Sequence, residues 1–256
     1  MKSIFATVIG AAAVLAIPGF SISAQAADIP ARMPAKVEAF VPAAYDWSGI
    51  YTATSIGVGW DNINGSTAGG ATANTSGTHG WMGSHIGYQH MWGNWVLGVE
   101  GSYSTPFTSK SDNTAGGTAD CTAVGAGFSC NSRINDIWTV GGKAGYAMGN
   151  WMVYGAGGYA NGRIEETTSL GGIVGSGSKA NHSGWYAGAG VDWYVTRFMW
   201  SDLILGVEYR HIALDDKLHN DIAGPAFNKT FNADVDTVML KATFKWVGAG
   251  PFSIFK

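Results

Sequence analysis

The sequence predicts an all-β fold, an eight-stranded antiparallel up-and-down transmembrane β-barrel, and three features of its composition point that way. The 256 residues include 38 glycines, which disfavour helices because each glycine inside a helix costs about 1 kcal/mol. Aromatic residues make up 12% of the chain, too many for a disordered protein. Charged residues make up only 13%, whereas an ordinary soluble domain is about one quarter charged.

The first residues have the layout of a secretory signal peptide. A single lysine precedes an uncharged apolar run over about residues 4–22, and the small residues Ala24 and Ala26 follow at the spacing that signal peptidase requires. We expect cleavage after Ala26, which makes residues 1–26 the signal peptide. An uncleaved membrane anchor is the alternative interpretation.

The mature chain opens with a segment that has no regular period. Residues 27–46 hold three of the seven prolines and predict a flexible periplasmic linker. From Trp47 to Trp246, large apolar residues alternate with small or polar ones, which is the period of a β-strand with two different faces. We therefore expect the outer-membrane barrel over residues 47–246 and a C-terminal tail over residues 247–256.

Eight segments carry this two-residue period, and their connections alternate in length. Gly93-Asn94, Gly149-Asn150 and residues 196–200 are short connections, whereas the other four are long and polar. Outer-membrane meander barrels have this alternation, with long loops on one side and short turns and both termini on the other. The predicted strands are 49–60, 80–92, 95–104, 135–147, 151–162, 184–195, 202–213 and 235–246, and the long connections are 61–79, 105–134, 163–183 and 214–234.

Each segment separates an apolar face from a face that carries the charges. In the seventh segment Leu205 and Val207 share one face, and Glu208 lies on the other. A charge that faces lipid at the bilayer midplane costs about 2 to 4 kcal/mol, so we expect the charges in the lumen. There they would form an ion network that plugs the lumen. This predicted network pairs Glu100, Asp192 and Glu208 with Lys143, Arg210, Lys241 and Lys245.

A secreted β-sandwich is the alternative to the membrane barrel, because it also alternates apolar and polar residues. Two features favour the barrel. Aromatic residues lie toward the ends of the segments, as in the girdles of outer-membrane barrels. The face opposite the apolar one is mostly Gly, Ala and Ser, whereas a surface in water would carry many more Lys and Glu residues.

Cys121 and Cys130 are the two cysteines of the chain. They lie close together in a stretch rich in Gly, Ala and Ser, and an oxidising compartment outside the cytoplasm would join them. A disulfide that closes a loop of about ten residues contributes roughly 2 to 3 kcal/mol. We therefore expect this bond to restrain one loop and not the whole fold.

Several stretches of the chain carry a family resemblance: DWSGIYTATSIGVGW, SHIGYQHMWGNWVLGVEGSY, DIWTVGGKAGYAM with GNWMVYGAGGYANG, GWYAGAGVDWYVT and LGVEYRHIAL. They resemble the strands of the alphaproteobacterial outer-membrane surface antigens, small porin-like immunogenic proteins, from about Asp46 to Trp246. The resemblance implies an eight-stranded barrel, a role in outer-membrane integrity, surface antigenicity and, for some members, haemin binding. Such barrels commonly end on an aromatic residue that the assembly machinery reads, but here a tail that contains Phe255 follows Trp246.

The sequence carries no nucleophile elbow, zinc-protease motif or phosphate-binding loop, so it predicts no enzyme, no cofactor and no metal site. Glu100 and Glu208 could form an acid/base pair, but lumenal ion pairing is favoured. His211 near Asp215 and Asp216 is the candidate for a site that modifies lipid A, and it lacks an adjacent nucleophile. The net charge of −3 and the scattered Lys and Arg residues exclude nucleic acid as a partner.

The predicted function is an envelope-structural and surface-antigen role in the outer membrane, with a narrow or plugged lumen. The expected partners are outer-membrane lipids, lipopolysaccharide and the outer-membrane assembly machinery. The alternative is a surface receptor that binds haem or a host component through its extracellular loops. His79, His182 and His219 are the candidate haem ligands, because they lie in or beside the long loops and neutral imidazole binds iron.

Overall fold

The computed structural model describes residues 45–67, 72–107, 118–119, 128–170, 173–219 and 228–247. The predicted signal peptide with Ala24 and Ala26, most of the predicted linker, Cys121 and the tail from residue 248 lie outside the described residues. Signal cleavage and the bond between Cys121 and Cys130 therefore stay predictions.

Eight antiparallel strands form one closed sheet. Each strand pairs with the next along the chain, and the last pairs with the first, so the sheet closes into an up-and-down barrel. The predicted fold class is confirmed. In chain order the barrel strands are β1 (Gly49–Thr67), β2 (Thr72–Trp92), β3 (Trp95–Pro106), β4 (Phe128–Met148), β5 (Trp151–Leu170), β6 (Ile173–Phe198), β7 (Ser201–His219) and β8 (Lys229–Trp246). A further two-residue strand, Thr118–Ala119, pairs with the start of β4.

Among the described residues, no helix is long and apolar enough to cross a membrane.

Three two-residue turns join neighbouring strands at one end of the barrel. They are Gly93-Asn94, Gly149-Asn150 and Met199-Trp200, and the first residue of each has a positive φ, at 59°, 65° and 54°. A positive φ at the first turn position is typical of the type II′ hairpin turn, whose twist matches that of the strands it joins. Glycine adopts this backbone without steric cost, whereas Met199 carries a Cβ atom.

The strands continue beyond their predicted boundaries at the opposite end. β1 reaches Thr67 and β2 begins at Thr72, where the sequence predicted a loop over residues 61–79. The loops predicted over residues 163–183 and 214–234 are likewise mostly strand. Those boundaries were wrong because alternating hydrophobicity marks only the part of a strand that faces lipid, while the Ser, Thr and Asn residues beyond it keep the backbone pairing without that period.

Large apolar side chains cover the outer wall of the barrel. Leu205, Val207 and Leu240, on the predicted lipid face, are 42%, 46% and 62% exposed. Aromatic girdles flank this band at both ends, an arrangement typical of outer-membrane barrels. The outer girdle, on the side of the long hairpins, comprises Trp60, Tyr103, Trp138, Tyr159, Trp185 and Tyr209, and the inner girdle, on the side of the short turns, comprises Trp92, Trp95, Tyr146, Trp151 and Trp193.

Side chains fill the lumen in three layers. Charged groups occupy the middle layer, and apolar groups occupy both ends. The sequence predicts the charged layer but not the two apolar ones. The upper apolar cluster, toward the long hairpins, comprises Ile63, Trp81, Ile134, Ile137, Ala160, Ile164, Tyr186, Ile212, Leu214, Phe231, Ala233, Val235 and Met239. The lower apolar cluster, toward the short turns, comprises Trp47, Val96, Ala147, Met152, Tyr154 and Ile204.

Candidate functional site: the lumenal charge cluster

Six buried charged residues from five strands meet in the middle of the lumen. We call them the lumenal charge cluster: Glu100, Lys143, Asp192, Glu208, Arg210 and Lys241. Their formal charges are three negative and three positive, so the cluster sums to zero. Removing a charge from water costs several kcal/mol unless a partner compensates it, so this balance is a condition for a dry lumen.

Arg210 joins the two glutamates across the lumen. Its Nη2 donates to Glu100 Oε1 at 3.1 Å and also to Glu208 Oε1. Its Nη1 donates to the hydroxyl oxygens of Ser102 at 2.8 Å and Thr139 at 3.1 Å. Because the guanidinium holds its donors in a fixed planar fork, one side chain connects β7 with β3 and β4.

Two lysines bind the carboxylates of Asp192 and Glu208. Lys143 Nζ donates to Asp192 Oδ2 at 2.9 Å and lies 3.8 Å from the ring centroid of Tyr154. Lys241 Nζ donates to Glu208 Oε2 at 3.1 Å and to the Tyr154 hydroxyl at 2.7 Å. That hydroxyl donates in turn to Glu208 Oε2 at 2.7 Å. Tyr154 therefore contacts both ammonium groups, one through its ring and one through its oxygen.

A tyrosine and a histidine complete the contacts of Glu100. The Tyr51 hydroxyl donates to Oε2 at 2.9 Å, and His85 Nδ1 lies 3.1 Å from Oε1. Ser55 Oγ lies 2.9 Å from His85 Nε2. A neutral His85 with its proton on Nδ1 donates to Glu100 and accepts from Ser55, so it satisfies both contacts.

Glycines in the barrel wall make room for the lumenal rings. A Cβ atom on Gly87 would lie 2.4 Å from the Tyr51 ring, and one on Gly141 would lie 2.6 Å from the Tyr186 hydroxyl. Real Cβ atoms do not approach neighbours this closely. The glycines of the predicted lumenal face therefore let large side chains cross a narrow interior.

Little space remains between these side chains. A cavity of about 20 Å³ lies beside Ser55, His85 and Arg210, which is room for a single water molecule. An eight-stranded barrel is only just wide enough for its own side chains. In the part of the chain that the structure describes, these side chains fill the cross-section of the lumen.

The residues that precede β1 cover the lumen at the short-turn end. Trp47 is fully buried in the lower apolar cluster, and its carbonyl accepts a hydrogen bond of 2.8 Å from Gln89 Nε2. The Tyr45 ring stacks on that of Tyr194 with centroids 4.0 Å apart, and its hydroxyl donates to Asp202 Oδ2 at 2.9 Å. The last residues of the predicted linker are therefore packed against the barrel.

Two buried histidines lie at the long-hairpin end. His182 Nε2 is 2.8 Å from His219 Nε2, His182 Nδ1 is 3.0 Å from the carbonyl oxygen of Asp215, and His219 Nδ1 is 2.8 Å from Ser178 Oγ. One set of neutral tautomers satisfies all three contacts, with His182 protonated on Nδ1 and His219 on Nε2. Burial lowers the pKa of His182. With these tautomers the pair forms a chain of hydrogen bonds that runs from the Ser178 hydroxyl to the carbonyl oxygen of Asp215.

One protein family accounts for this architecture. The family model described as "Outer membrane protein beta-barrel domain" matches residues 12–244 of the chain. The chain belongs to this family. Its location is accordingly the outer membrane, as predicted from the sequence.

Solved structures of other outer-membrane proteins are similar to this outer-membrane barrel protein at low identity. Ail, the attachment invasion locus protein of Yersinia pestis, is 15% identical, and the match covers 78% of this chain and 99% of Ail with a TM-score of 0.38. OprG from Pseudomonas aeruginosa is 11% identical, and that match covers 80% of this chain and 99% of OprG with a TM-score of 0.41. Neisserial surface protein A is 15% identical, with 78% and 98% covered and a TM-score of 0.34. No curated protein matches the chain.

Six of the seven residues predicted for the lumenal network of this outer-membrane barrel protein lie in the lumenal charge cluster, and Lys245 does not. Lys245 Nζ lies 3.4 Å from Asp202 Oδ2 and donates to the carbonyl oxygen of Asp46, at the short-turn end. Asp202 is fully buried and also accepts a hydrogen bond of 2.7 Å from Arg197 Nε. Asp202 was missed because it follows a turn directly, where an acidic residue is ordinarily solvated.

The histidines considered as haem ligands contact other side chains. His79 Nε2 lies 2.8 Å from Asp61 Oδ1, and both side chains are buried. His182 and His219 contact each other and are also buried. Among the described residues, no three His, Cys, Asp or Glu side chains lie close enough together to hold a metal ion.

The residues considered for catalysis have structural partners. His211 Nδ1 lies 2.9 Å from Asp236 Oδ1 on β8, so its acidic partner is neither of the residues that the sequence suggested, Asp215 and Asp216. Glu100 and Glu208, considered as an acid/base pair, both accept hydrogen bonds from Arg210 and so share a cation.

Proposed function

We propose that this outer-membrane protein is an envelope-structural barrel that keeps its lumen closed and presents its long hairpins at the cell surface as antigens. The observation that supports the proposal most is the lumenal charge cluster, neutral overall and enclosed between two apolar clusters. A diffusion channel needs a continuous path of water. Here each of the six charges of the lumenal charge cluster is paired with an opposite charge instead.

The proposed surface role is supported by the length of the hairpins. β5 continues from Tyr159 of the outer girdle to Leu170, where the strand ends. At about 3.3 Å per residue, this extension is roughly 35 Å long. A paired β-hairpin of that length stands clear of the lipid and is more rigid than a loop, which suits it to recognition by antibodies. The strand sequences further support the proposal that the chain is one of the alphaproteobacterial surface antigens.

Recording from planar bilayers tests the closed lumen. Protein whose folding is verified by heat-modifiable migration on gels is inserted into the bilayer, and we expect no stable conductance on the nanosiemens scale. A large and stable conductance from the folded protein would overturn the proposal.

Epitope tags test the surface role in intact cells. One tag is inserted between residues 171 and 172, in the connection from the end of β5 to the start of β6, and the matched tag lies in the short turn between Gly149 and Asn150. We expect antibody to label the first tag on intact cells and the second only after the outer membrane is permeabilised. The reverse pattern, or equal labelling of both tags, would contradict the proposed orientation.

A cellular assay tests the envelope-structural role itself. We expect deletion of the gene to increase the sensitivity of cells to detergent, and the full chain supplied from a plasmid to restore resistance. Unchanged sensitivity in the deletion strain would contradict the envelope-structural role but not the role as a surface antigen.

A further inference from the structure

Three rows of residues lie on the outer wall of the barrel, from the level of the outer girdle toward the long hairpins, where β4, β5 and β6 run side by side. The first row is Trp138, Asn161 and Ser183, the second is Asp136, Arg163 and Asn181, and the third is Arg133, Glu165 and Lys179. These residues point outward, because they alternate along the strands with the buried residues Ile134, Ile137, Ala160, Gly162, Ile164 and His182. Lys179 lies directly opposite Glu165 in the strand register and shares its face. We call the second and third rows the cationic ladder.

The cations of the ladder outnumber its carboxylates. Arg133 and Lys179 share Glu165, with N···O distances of 2.6 Å and 3.0 Å. Arg163 is held loosely, at 3.8 Å from Asp136 Oδ1. Three cations therefore face two carboxylates, which leaves a surplus of one positive charge.

A further cation lies at the edge of the ladder. Lys217 Nζ donates to the carbonyl oxygen of Asn181 at 2.8 Å. The cations of the ladder are also exposed, since the side chains of Arg163 and Lys179 are 52% and 63% accessible.

The height of the ladder matches the headgroups of the outer leaflet. Arg163 and Glu165 lie four and six residues beyond Tyr159 of the outer girdle. At about 3.3 Å per residue and a strand tilt of about 40°, these positions lie roughly 10 Å and 15 Å above the girdle. Aromatic girdles mark the edge of the hydrocarbon, so the ladder stands in the polar layer of the membrane.

The opposite wall has a different character close to the outer girdle. On β1, β2 and β8, Thr78 and Asp236 are level with Trp60 of the outer girdle, and Asn62 and Asp234 lie two residues beyond it. Tyr209 and His211 bond to Asp236. An anionic group would therefore meet attraction on one side of the barrel and repulsion on the other.

We propose that the cationic ladder binds the phosphate groups of a phosphorylated outer-leaflet lipid, the lipid A part of lipopolysaccharide. Arginine presents paired N–H donors that match two phosphate oxygens, and such charge-assisted hydrogen bonds are stronger than neutral ones. The aromatic side chains of Trp138, Tyr159 and Trp185 lie directly below, where the acyl chains begin. This inference deepens the proposed envelope role, because it names the lipid that the barrel would hold around itself.

Binding of purified lipid A to the folded, full-length mature protein in detergent micelles tests the proposal. The probes are lipid A with both phosphates and the same lipid with its phosphates removed, and retention is measured by native mass spectrometry. We expect the double variant Arg163→Gln/Lys179→Gln to weaken binding of the phosphorylated lipid by about tenfold or more. Binding of the dephosphorylated lipid is expected to be the same for the variant and the wild type.

Two single variants that change the net charge equally provide the matched control. Glu165→Gln removes the carboxylate that Arg133 and Lys179 share, so we expect it to strengthen binding of the phosphorylated lipid. Asp234→Asn makes the same change of charge on the opposite wall and is expected to leave binding unchanged.

Three results would overturn the ladder as a lipid site: unchanged binding by the double variant, equal effects of Glu165→Gln and Asp234→Asn, or displacement of the lipid by millimolar inorganic phosphate. Gel migration and bilayer recordings on the same samples show independently whether the barrel is folded and closed. Failure of the lipid site is therefore distinguishable from failure of the proposed function.

Discussion

The ring of Tyr154 lies directly over the backbone of Gly190. A Cβ atom on Gly190 would be 2.5 Å from both Cζ and the hydroxyl oxygen of that ring. The same hydroxyl bonds Lys241 and Glu208 in the lumenal charge cluster. Because Gly190 has no side chain, the Tyr154 ring and its hydroxyl can occupy this position in the lumen. The glycines that disfavour helices therefore also make room for side chains inside the barrel.

Gly190→Ala should displace the Tyr154 ring and weaken the charge cluster. We expect a loss of about 1 to 3 kcal/mol in the free energy of unfolding, the usual cost of overpacking a filled interior. Urea unfolding of the protein in detergent micelles measures it. Gly155→Ala is the matched control, because its Cβ would face lipid with the nearest atom at 3.8 Å. Equal losses for the two variants would contradict the role of Gly190.

Lys143 and Asp192 should show strong energetic coupling. Lys143→Met leaves Asp192 buried at a distance of 3.9 Å from Lys241, its remaining cation, so we expect a loss of about 3 to 5 kcal/mol in stability. The double variant Lys143→Met/Asp192→Leu removes both charges and should recover most of that loss. A double-mutant cycle from unfolding curves measures the coupling. Additive effects of the two substitutions would show that the pair does not act as a unit.

The sequence predicts the fold and the facing of each strand because lipid imposes a strict penalty on misplaced charge. Where a strand crosses the lipid, every second residue must be apolar, so Leu205 faces out and Glu208 faces in. The sequence carries no comparable signal for the height of a side chain along the barrel axis. Lys241 and Lys245 share a face, yet they lie four residues apart, about 13 Å along the strand, and contact different carboxylates.

The tyrosines and the histidine of the site show the same limit on what the sequence predicts. Tyr51, His85 and Tyr154 have the parity opposite to that of the lipid-facing residues on their strands, so their lumenal position could be predicted, but their partners depend on the register between strands. Cross-barrel contacts such as that of Arg210 with Ser102 join strands that are not neighbours in the sheet. A single sequence does not specify such contacts, because strand tilt and register together decide which side chains share a level.

Met199→Gly should stabilise the barrel, because Met199 has a φ of 54° in its turn. The left-handed conformation costs a residue with a Cβ roughly 1 to 2 kcal/mol, so we expect a gain of about 1 kcal/mol in the free energy of unfolding. Gly149→Ala is the reciprocal variant. Gly149 has a φ of 65° and no atom within 4 Å of its Cβ position, so backbone strain alone should cost about 1 kcal/mol there. If Met199→Gly and Gly149→Ala changed the free energy of unfolding in the same direction, backbone strain at Met199 would be refuted.

Glu165 should make the stability of the long hairpins depend on pH. It lies beyond the outer girdle, and although partial burial raises the pKa of its carboxyl, hydrogen bonds from Arg133, Asn135 and Lys179 lower that pKa from 4.5 to about 2. A carboxyl with a depressed pKa stabilises the fold above its unfolded value, and this contribution is lost as the pH falls through about 2. We expect Glu165→Gln to reduce resistance to urea at pH 7 and to match the wild type near pH 2. If the difference in urea resistance between the two proteins is as large at pH 2 as at pH 7, it arises from packing and not from the charge of Glu165.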